Sequence, residues 1–268
     1  MSAPSVAEAT GRGSAPEPLL AARGITKRFA GISALDQVDL DVAPGEMVGL
    51  IGPNGAGKTT FFNCLLGMLR PEGGTVRFDG RDITRLPVHR RARLGFGRTF
   101  QRLELFSGMT VREHFLVTER ARRGTGRLWK DLLNLAKPTA DEQALAERMV
   151  EITGLQREAD KPVESLSLGR GRLVELGRAL MTQPKLLLLD EPSSGLDVKE
   201  TAGLADKLAA VQAEHEFAVL LVEHDVEMVS SLVTRLYVLD FGELIASGST
   251  AAVLGDEQVR RAYLGDML

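Results

Sequence analysis

Glycine, lysine and threonine stand close together in residues 52–60, at the spacing G-x-x-x-x-G-K-[ST]. Glycines let the backbone turn tightly, so that several amides point at one anion. Lys58 adds positive charge for the β- and γ-phosphates, and Thr59 adds a hydroxyl for Mg2+. The segment therefore predicts a phosphate-binding loop (the P-loop) for a nucleoside triphosphate. The predicted nucleotide-binding residues are Gly52, Pro53, Asn54, Gly55, Ala56, Gly57, Lys58, Thr59 and Thr60.

Two acids, Asp190 and Glu191, stand directly after the apolar run Leu186–Leu189. Ligands of open α/β sheets bind at the carboxyl ends of the strands. If this run is a strand beside the one that leads into the P-loop, Asp190 meets Mg2+ directly or through water. Glu191 then lies near the γ-phosphate, where a carboxylate orients and polarises an attacking water. A second apolar run, 217–222, precedes His224, which we expect to reach the same edge and contact the γ-phosphate or the water.

The segments around these residues predict an α/β fold. Residues 46–51 form a short apolar strand that leads straight into the P-loop, and an apolar helix should follow the loop. Strand-like segments at 19–42 and 75–81 predict an added antiparallel β layer. Helical periodicity from Val111 to Thr153 indicates a helical subdomain, at about 102–180. Nearer the carboxyl terminus strands alternate with helices, which indicates a mostly parallel core sheet.

The composition is that of a soluble globular protein, with 268 residues of which 44% are hydrophobic and 26% charged. A net charge of -3 gives no sign of nucleic-acid binding, so we expect no nucleic-acid partner. One cysteine excludes a disulfide framework and fits a reducing cytoplasm. No apolar stretch approaches the length that spans a bilayer. Residues 1–18 are predicted to be a disordered tail, and residues 19–268 to form the folded domain.

Further segments stand in the order and spacing of ATP-binding-cassette (ABC) ATPases, which the chain resembles from Leu19 to Leu264. Phe29 lies where that family stacks an aromatic ring on adenine. Residues 98–101 resemble its Q-loop, 166–170 occupy the position of its signature loop, and 194–197 resemble its D-loop. The resemblance implies a P-loop NTPase fold, that of an ABC ATPase with a mostly parallel core sheet, an antiparallel β layer and a helical subdomain. It also implies hydrolysis of ATP with Mg2+.

ABC ATPases work as two domains packed head to tail around two ATPs, so the resemblance implies a second ATPase subunit, identical or different. Ser167 and the Gly169 amide would then hold the γ-phosphate that the partner's P-loop binds. Asp197 would help to couple the two sites. The signature loop departs from the usual L-S-G-G-Q at Leu168 and Arg170. We expect Arg170 to alter the hydrolysis rate of the site that this loop completes.

The resemblance also assigns roles at the chain's own site. Gln101 would reach the metal and the water, and His224 stands where the family has its switch histidine. Glu191 would drive hydrolysis and let the dimer open. The implied catalytic residues are Glu191, His224 and Gln101; the implied metal-binding residues are Thr59, Gln101 and Asp190.

Three segments are similar to the ATPases of branched-chain amino acid importers: residues 98–101, the helical stretch 118–146 and the ending 261–265. Such ATPases work with two transmembrane permease subunits, a second ATPase subunit and an extracytoplasmic substrate-binding protein. We therefore expect a peripheral protein on the cytoplasmic face of the plasma (inner) membrane that powers uptake of branched-chain, hydrophobic amino acids. A permease would dock at about 101–113.

Other functions share part of this pattern. Importers of urea and short-chain amides have very similar ATPases, and lipopolysaccharide-type exporters have ATPases with a similar ending. A soluble, non-transport ABC ATPase is a different class, which generally carries a long coiled coil or two cassettes in one chain. A P-loop kinase is a third class, but it would not account for residues 166–170, 194–197 and His224 together.

Overall fold

The computed structural model describes residues 17–99, 104–123 and 138–264. Within these ranges the chain forms one six-stranded sheet and one four-stranded sheet, with helices packed around them. The strands are β1 (Leu20–Phe29), β2 (Ile32–Val42), β3 (Met47–Ile51), β4 (Gly73–Phe78), β5 (Arg81–Asp82), β6 (Phe96–Arg98), β7 (Leu186–Asp190), β8 (Ala218–Val222), β9 (Arg235–Asp240) and β10 (Glu243–Ser249). The helices are α1 (Lys58–Leu66), α2 (Val88–Arg93), α3 (Val111–Arg123), α4 (Ala140–Thr153), α5 (Leu168–Met181), α6 (Val198–His215), α7 (Val226–Leu232), α8 (Thr250–Gly255) and α9 (Glu257–Leu264).

The six-stranded sheet is the core, in the order β10-β9-β3-β8-β7-β6. Its strands run parallel except for β10, which pairs antiparallel with β9. Every residue of β3, β7 and β8 is buried, as expected for parallel strands covered on both faces. The prediction of a mostly parallel core sheet is confirmed. As a result the carboxyl ends of these three strands meet at one edge.

Alternate side chains of the core strands enter two different apolar layers. In β7, Leu187 and Leu189 pack with residues of α5 and α6, whereas Leu186 and Leu188 pack with α1 and the second sheet. The second sheet has the order β2-β1-β4-β5 with antiparallel pairing, so the predicted antiparallel layer is also confirmed. The hairpin of β1 and β2 turns at Ala30 and Gly31, which both have positive φ, 47° and 88°.

The helices α3, α4 and α5 pack on one another inside the range predicted for the helical subdomain. Thr139 begins α4 with a reciprocal capping box to Glu142. Helix α5 begins at Leu168, directly after the Ser167 side chain that caps its first turn. The exact limits of the subdomain stay a prediction.

Some predictions fall on residues outside the described ranges. These are the tail 1–18, of which only 17 and 18 are described, and Gln101 of the Q-loop. The middle of the helical stretch, residues 124–137, also lies outside them. None of the helices in the described part of the chain combines the length and hydropathy that a membrane span needs.

Candidate nucleotide-binding site

The P-loop connects β3 to α1, the strand–loop–helix setting that its sequence predicts. Close packing requires glycine at two of its positions: a Cβ on Gly52 would lie 2.1 Å from the carbonyl oxygen of Leu239, and one on Gly57 would lie 2.6 Å from that of Ala34. Gly57 begins α1 in the left-handed region, with φ 101°. Beside Gly55 an added Cβ would meet nothing within 4 Å, so the loop is open on that side.

Lys58 lies at the start of α1 with its ammonium folded onto the loop. Its Nζ donates to the carbonyl oxygens of Gly52 at 2.6 Å and Pro53 at 2.9 Å. Burial lowers the pKa of Lys58, and the charges of Glu191 and Asp190 act against this shift. The positive end of the α1 dipole lies at the same place, so the loop presents concentrated positive potential to an anion.

Strand register brings the two acids to the P-loop strand. Val222 of β8 pairs with Leu50 of β3 on one side and with Asp190 of β7 on the other. Burial raises the pKa of Asp190 to about 6, with a further rise from the charge of Glu191 and opposition from Arg98. Glu191 leaves the strand with φ 45°, and its N–H donates to the Val222 carbonyl at 2.8 Å. At this sheet edge Asp190 is buried and Glu191 is partly exposed.

His224 follows β8 at the same edge, and its side chain is about half exposed. The residue before it, Glu223, is fully buried. One carboxylate oxygen of Glu223 accepts the Ser193 N–H at 2.8 Å, and the other accepts the His224 N–H at 3.1 Å. Sequence reasoning missed Glu223. The available signal was an acid directly after the apolar run 217–222, the same signal that identified Asp190.

The signature loop bonds α4 and α6, and none of its hydrogen bonds in the described part of the chain goes to the P-loop. Ser167 caps α5, and no hydrogen bond in the described part of the chain joins Ser167 or Gly169 to residues 52–60. Gly169 packs against α6, since a Cβ there would lie 2.8 Å from the Glu200 carboxyl carbon. Arg170 donates to the carbonyl of Gly154 at 3.2 Å, at the carboxyl end of α4.

Asp197 of the D-loop caps α6 by accepting the Glu200 N–H at 2.7 Å. Phe29 ends β1 with its ring 45% exposed, and the ammonium of Lys27 stands 5.2 Å from the ring centroid. An exposed ring of this kind is available to stack on a base. Gln101 itself lies outside the described part of the chain.

The donor set fits a nucleotide with a divalent cation. The loop supplies backbone amides and the Lys58 ammonium, and Thr59 is exposed to solvent. Hydroxyl and carboxylate oxygens, here of Thr59 and Asp190, are the hard ligands that Mg2+ takes while it keeps several waters. Burial raises the pKa of Asp190, so a neighbouring cation would stabilise its ionised form. This suits Asp190 to binding a metal ion.

Comparison with protein families gives two matches along the chain. The sequence model described as "ABC transporter" matches residues 35–194. The sequence model described as "Branched-chain amino acid ATP-binding cassette transporter" matches residues 243–267. The first covers the P-loop, the signature loop and both strand-end acids; the second covers the carboxyl-terminal segment, including α8 and α9.

Similar proteins cover nearly the whole chain. LivG of Salmonella typhimurium, a high-affinity branched-chain amino acid transport ATP-binding protein, is 41% identical over 253 residues, which are 93% of this chain and 99% of LivG. BraF of Pseudomonas aeruginosa, which carries the same description, is 39% identical over 93% of this chain and 98% of its own length. Among solved structures, the ATP-binding cassette MJ1267 of an ABC transporter in its ADP conformation has a TM-score of 0.80 and 31% identity, over 92% of this chain and 99% of that one.

Proposed function

This chain belongs to the ABC transporter family and is an ATPase of that family, and we propose that it powers uptake of branched-chain amino acids by an importer. The observation that carries the choice of importer is the carboxyl-terminal match at residues 243–267, together with 41% identity over 99% of LivG. Both matches are to ATP-binding proteins of branched-chain amino acid transport. We infer that the site binds ATP, because its P-loop, which binds anions, lies beside the two acids at the end of β7.

In this proposal each residue at the sheet edge has a separate task. The P-loop amides and Lys58 would bind the β- and γ-phosphates, and Thr59 and Asp190 would hold Mg2+. Bound Mg2+ would neutralise phosphate charge and orient the phosphate oxygens. Glu191 accepts a hydrogen bond from the attacking water and polarises it. His224, exposed at the end of the neighbouring strand, donates to the γ-phosphate.

The site is completed by a second ATPase subunit. Ser167 and Gly169 lie at the amino terminus of α5, and among the described residues no hydrogen bond joins them to the chain's own P-loop. A helix terminus with an exposed hydroxyl suits a phosphate, and in a head-to-tail dimer it would meet the nucleotide of the partner. Phe29 would stack on the adenine at the chain's own site, and Gln101 would reach the metal and the water.

The transporter context implies transmembrane permease subunits, and we assign their contact to the segment around 104–113. Phe106 is about half exposed there, and its N–H donates to Nε2 of the buried His114 at 2.8 Å. The guanidinium of Arg178 stands 5.3 Å from the Phe106 ring centroid. A fixed apolar ring at the surface suits a helix of a permease. The complex would include two permeases and an extracytoplasmic binding protein, with this chain on the cytoplasmic face of the plasma (inner) membrane.

Reconstitution tests the proposal. The chain, its permeases and its second ATPase would be placed in lipid vesicles, with the binding protein on the side opposite the ATPases. We expect ATP-dependent uptake of labelled leucine that isoleucine and valine reduce by competition. Lys58→Ala should abolish uptake, whereas the matched control Lys207→Ala, at a partly exposed position of α6, should not. Uptake of urea or acetamide, with no uptake of leucine, would mean that the importer takes urea or short-chain amides and not branched-chain amino acids. If the ATPase never co-purifies with a permease, the importer proposal is wrong and a soluble, non-transport function takes its place.

A further inference from the structure

Glu223 is a buried carboxylate whose hydrogen bonds, among the described residues, come from backbone amides, and its Oε2 also lies 3.6 Å from Nδ1 of the His224 ring. Its oxygens accept from the N–H groups of Ser193 at 2.8 Å, His224 at 3.1 Å and Asp225 at 3.5 Å. Its own N–H donates to the Leu50 carbonyl at 3.4 Å, which extends the pairing of β8 with the P-loop strand. A buried carboxylate is costly unless it is well bonded, so these amides stabilise its charge.

The amides belong to two loops that carry the proposed chemistry. Ser193 stands between Glu191 and the D-loop, in a turn closed by the Ser194 N–H donating to the Glu191 carbonyl at 3.1 Å. His224 and Asp225 begin the loop after β8, where Asp225 caps α7. The two loops are 30 residues apart in sequence and have one carboxylate in common.

From this geometry we propose that Glu223 is a positioning residue, which holds the main chain of Glu191 and that of His224 as one rigid unit. The proposal rests on the roles given above to Glu191 and His224. A movement of the D-loop at the dimer interface is then transmitted to His224 through Ser193 and the Glu223 carboxylate. Glu223 does not touch the nucleotide in this arrangement; it fixes the residues that do.

The test is Glu223→Gln in the assembled transporter. An amide has one oxygen acceptor and an NH2 donor, so glutamine can accept from one loop but opposes the N–H groups of the other. We expect kcat for ATP to fall about 10- to 100-fold, the scale of a misplaced catalytic group. KM for ATP should stay within about twofold, because the phosphate contacts of the P-loop are unchanged. The control is Glu119→Gln on α3, which also removes a fully buried carboxylate but should leave kcat unchanged.

Two readouts separate positioning from a general loss of stability. Hydrogen exchange should accelerate at the amides of Ser193, His224 and Asp225 in Glu223→Gln, and not in Glu119→Gln. In a double-mutant cycle, Glu223→Gln should cost little further activity once His224 is alanine, because the two act as a unit. If Glu223→Gln does not fold, Glu223→Asp, which keeps the charge but is too short to bond both loops, should give the same three results.

Normal kcat in Glu223→Gln would overturn the proposal, as would independent losses in the cycle or unchanged exchange at the three amides. A parallel change of kcat and KM with a lowered Tm would also overturn it, since that result means a structural role only. If instead Glu191→Gln and His224→Ala keep normal turnover, the assignment of the site is wrong. Exchange at the three amides then still decides whether Glu223 joins the two loops.

Discussion

The hydroxyl of Ser167 donates to the Glu200 carboxylate at 3.1 Å, and the same oxygen accepts the Arg170 N–H at 3.3 Å. The side chain that we assign to a partner's γ-phosphate is therefore held, within one chain, by an acid of α6. Asp197 caps the same helix by accepting the Glu200 N–H. The signature loop and the D-loop thus meet at Glu200, and a phosphate that binds Ser167 must do so beside its charge.

Replacing Glu200 tests this contact. Glu200→Gln keeps an acceptor for Ser167 but removes a negative charge near the phosphate position. We expect the apparent affinity of the assembled transporter for ATP to rise about two- to fivefold, on the scale of one partly exposed charge interaction. Titration of ATP against turnover measures it. The control Glu214→Gln changes an exposed acid at the other end of α6 and should have no effect, whereas a weaker affinity in Glu200→Gln would contradict the expectation.

Removal of the P-loop ammonium should abolish nucleotide binding itself. Lys58→Ala leaves the Gly52 and Pro53 carbonyls without their donor and the phosphates without their buried charge. Loss of one member of a buried charged pair costs about 2–5 kcal/mol. Calorimetry with ATP should show this loss in Lys58→Ala and normal binding in Lys207→Ala. Equal affinity in the two variants would exclude residues 52–60 as the phosphate site.

The ionisation of Asp190 has a predicted effect on stability. The folded chain keeps a proton on Asp190 up to a pKa of about 6, whereas the carboxyl of the unfolded chain releases it near its ordinary pKa of 3.8. Stability from this group is therefore present below the unfolded pKa and is lost as the pH rises through that interval. Asp190→Asn avoids the cost, so the nucleotide-free variant should be more stable than wild type at pH 8, by about 3 kcal/mol.

Denaturant unfolding of the nucleotide-free chain at pH 8 and near pH 4 checks this sign. The advantage of Asp190→Asn should shrink toward zero at the lower pH, where wild-type Asp190 is protonated. Asp206→Asn changes an exposed acid of α6 and serves as the control. A variant that is less stable than wild type at pH 8 would mean that Asp190 is not destabilised by burial.

Arg91 joins the P-loop helix to the neighbouring segments. It is 1% exposed, and it donates to the carbonyls of Cys64 at 2.9 Å and Leu65 at 2.6 Å, near the carboxyl end of α1. Burial lowers its pKa to about 10. Arg91→Met should lower the free energy of unfolding by about 3 kcal/mol, because buried carbonyls lose their donors. Thermal denaturation should show a large loss of Tm in Arg91→Met and little change in the exposed neighbour variant Arg90→Met.

The core of the fold could be predicted because parallel strands buried on both faces are continuous apolar runs. Residues 186–189 and 217–222 have this form, and the polar residues after them mark the carboxyl edge of the sheet. The P-loop could also be predicted from the spacing of its glycines. The structure shows why glycine stands there, since close packing around Gly52 and Gly57 admits no side chain. Local pattern therefore located the strand-end residues and their common edge.

Other features depend on contacts between distant segments. Glu223 bonds Ser193 across 30 residues, and Arg91 bonds Leu65 across 26, so neither role appears in local periodicity. The sequence identified Ser167 as a phosphate ligand, and the structure adds that its side chain caps the first turn of α5.

The central claim is that Glu191, at the end of β7, drives hydrolysis of an ATP held by the P-loop of this chain. Glu191→Gln in the assembled transporter tests it most directly, with ATP binding and hydrolysis measured on the same sample. We expect ATP to bind with normal affinity and to accumulate in a closed complex of the two ATPase subunits. Hydrolysis should fall by about 100-fold or more, as for loss of a general base. Normal hydrolysis by Glu191→Gln would contradict the assignment.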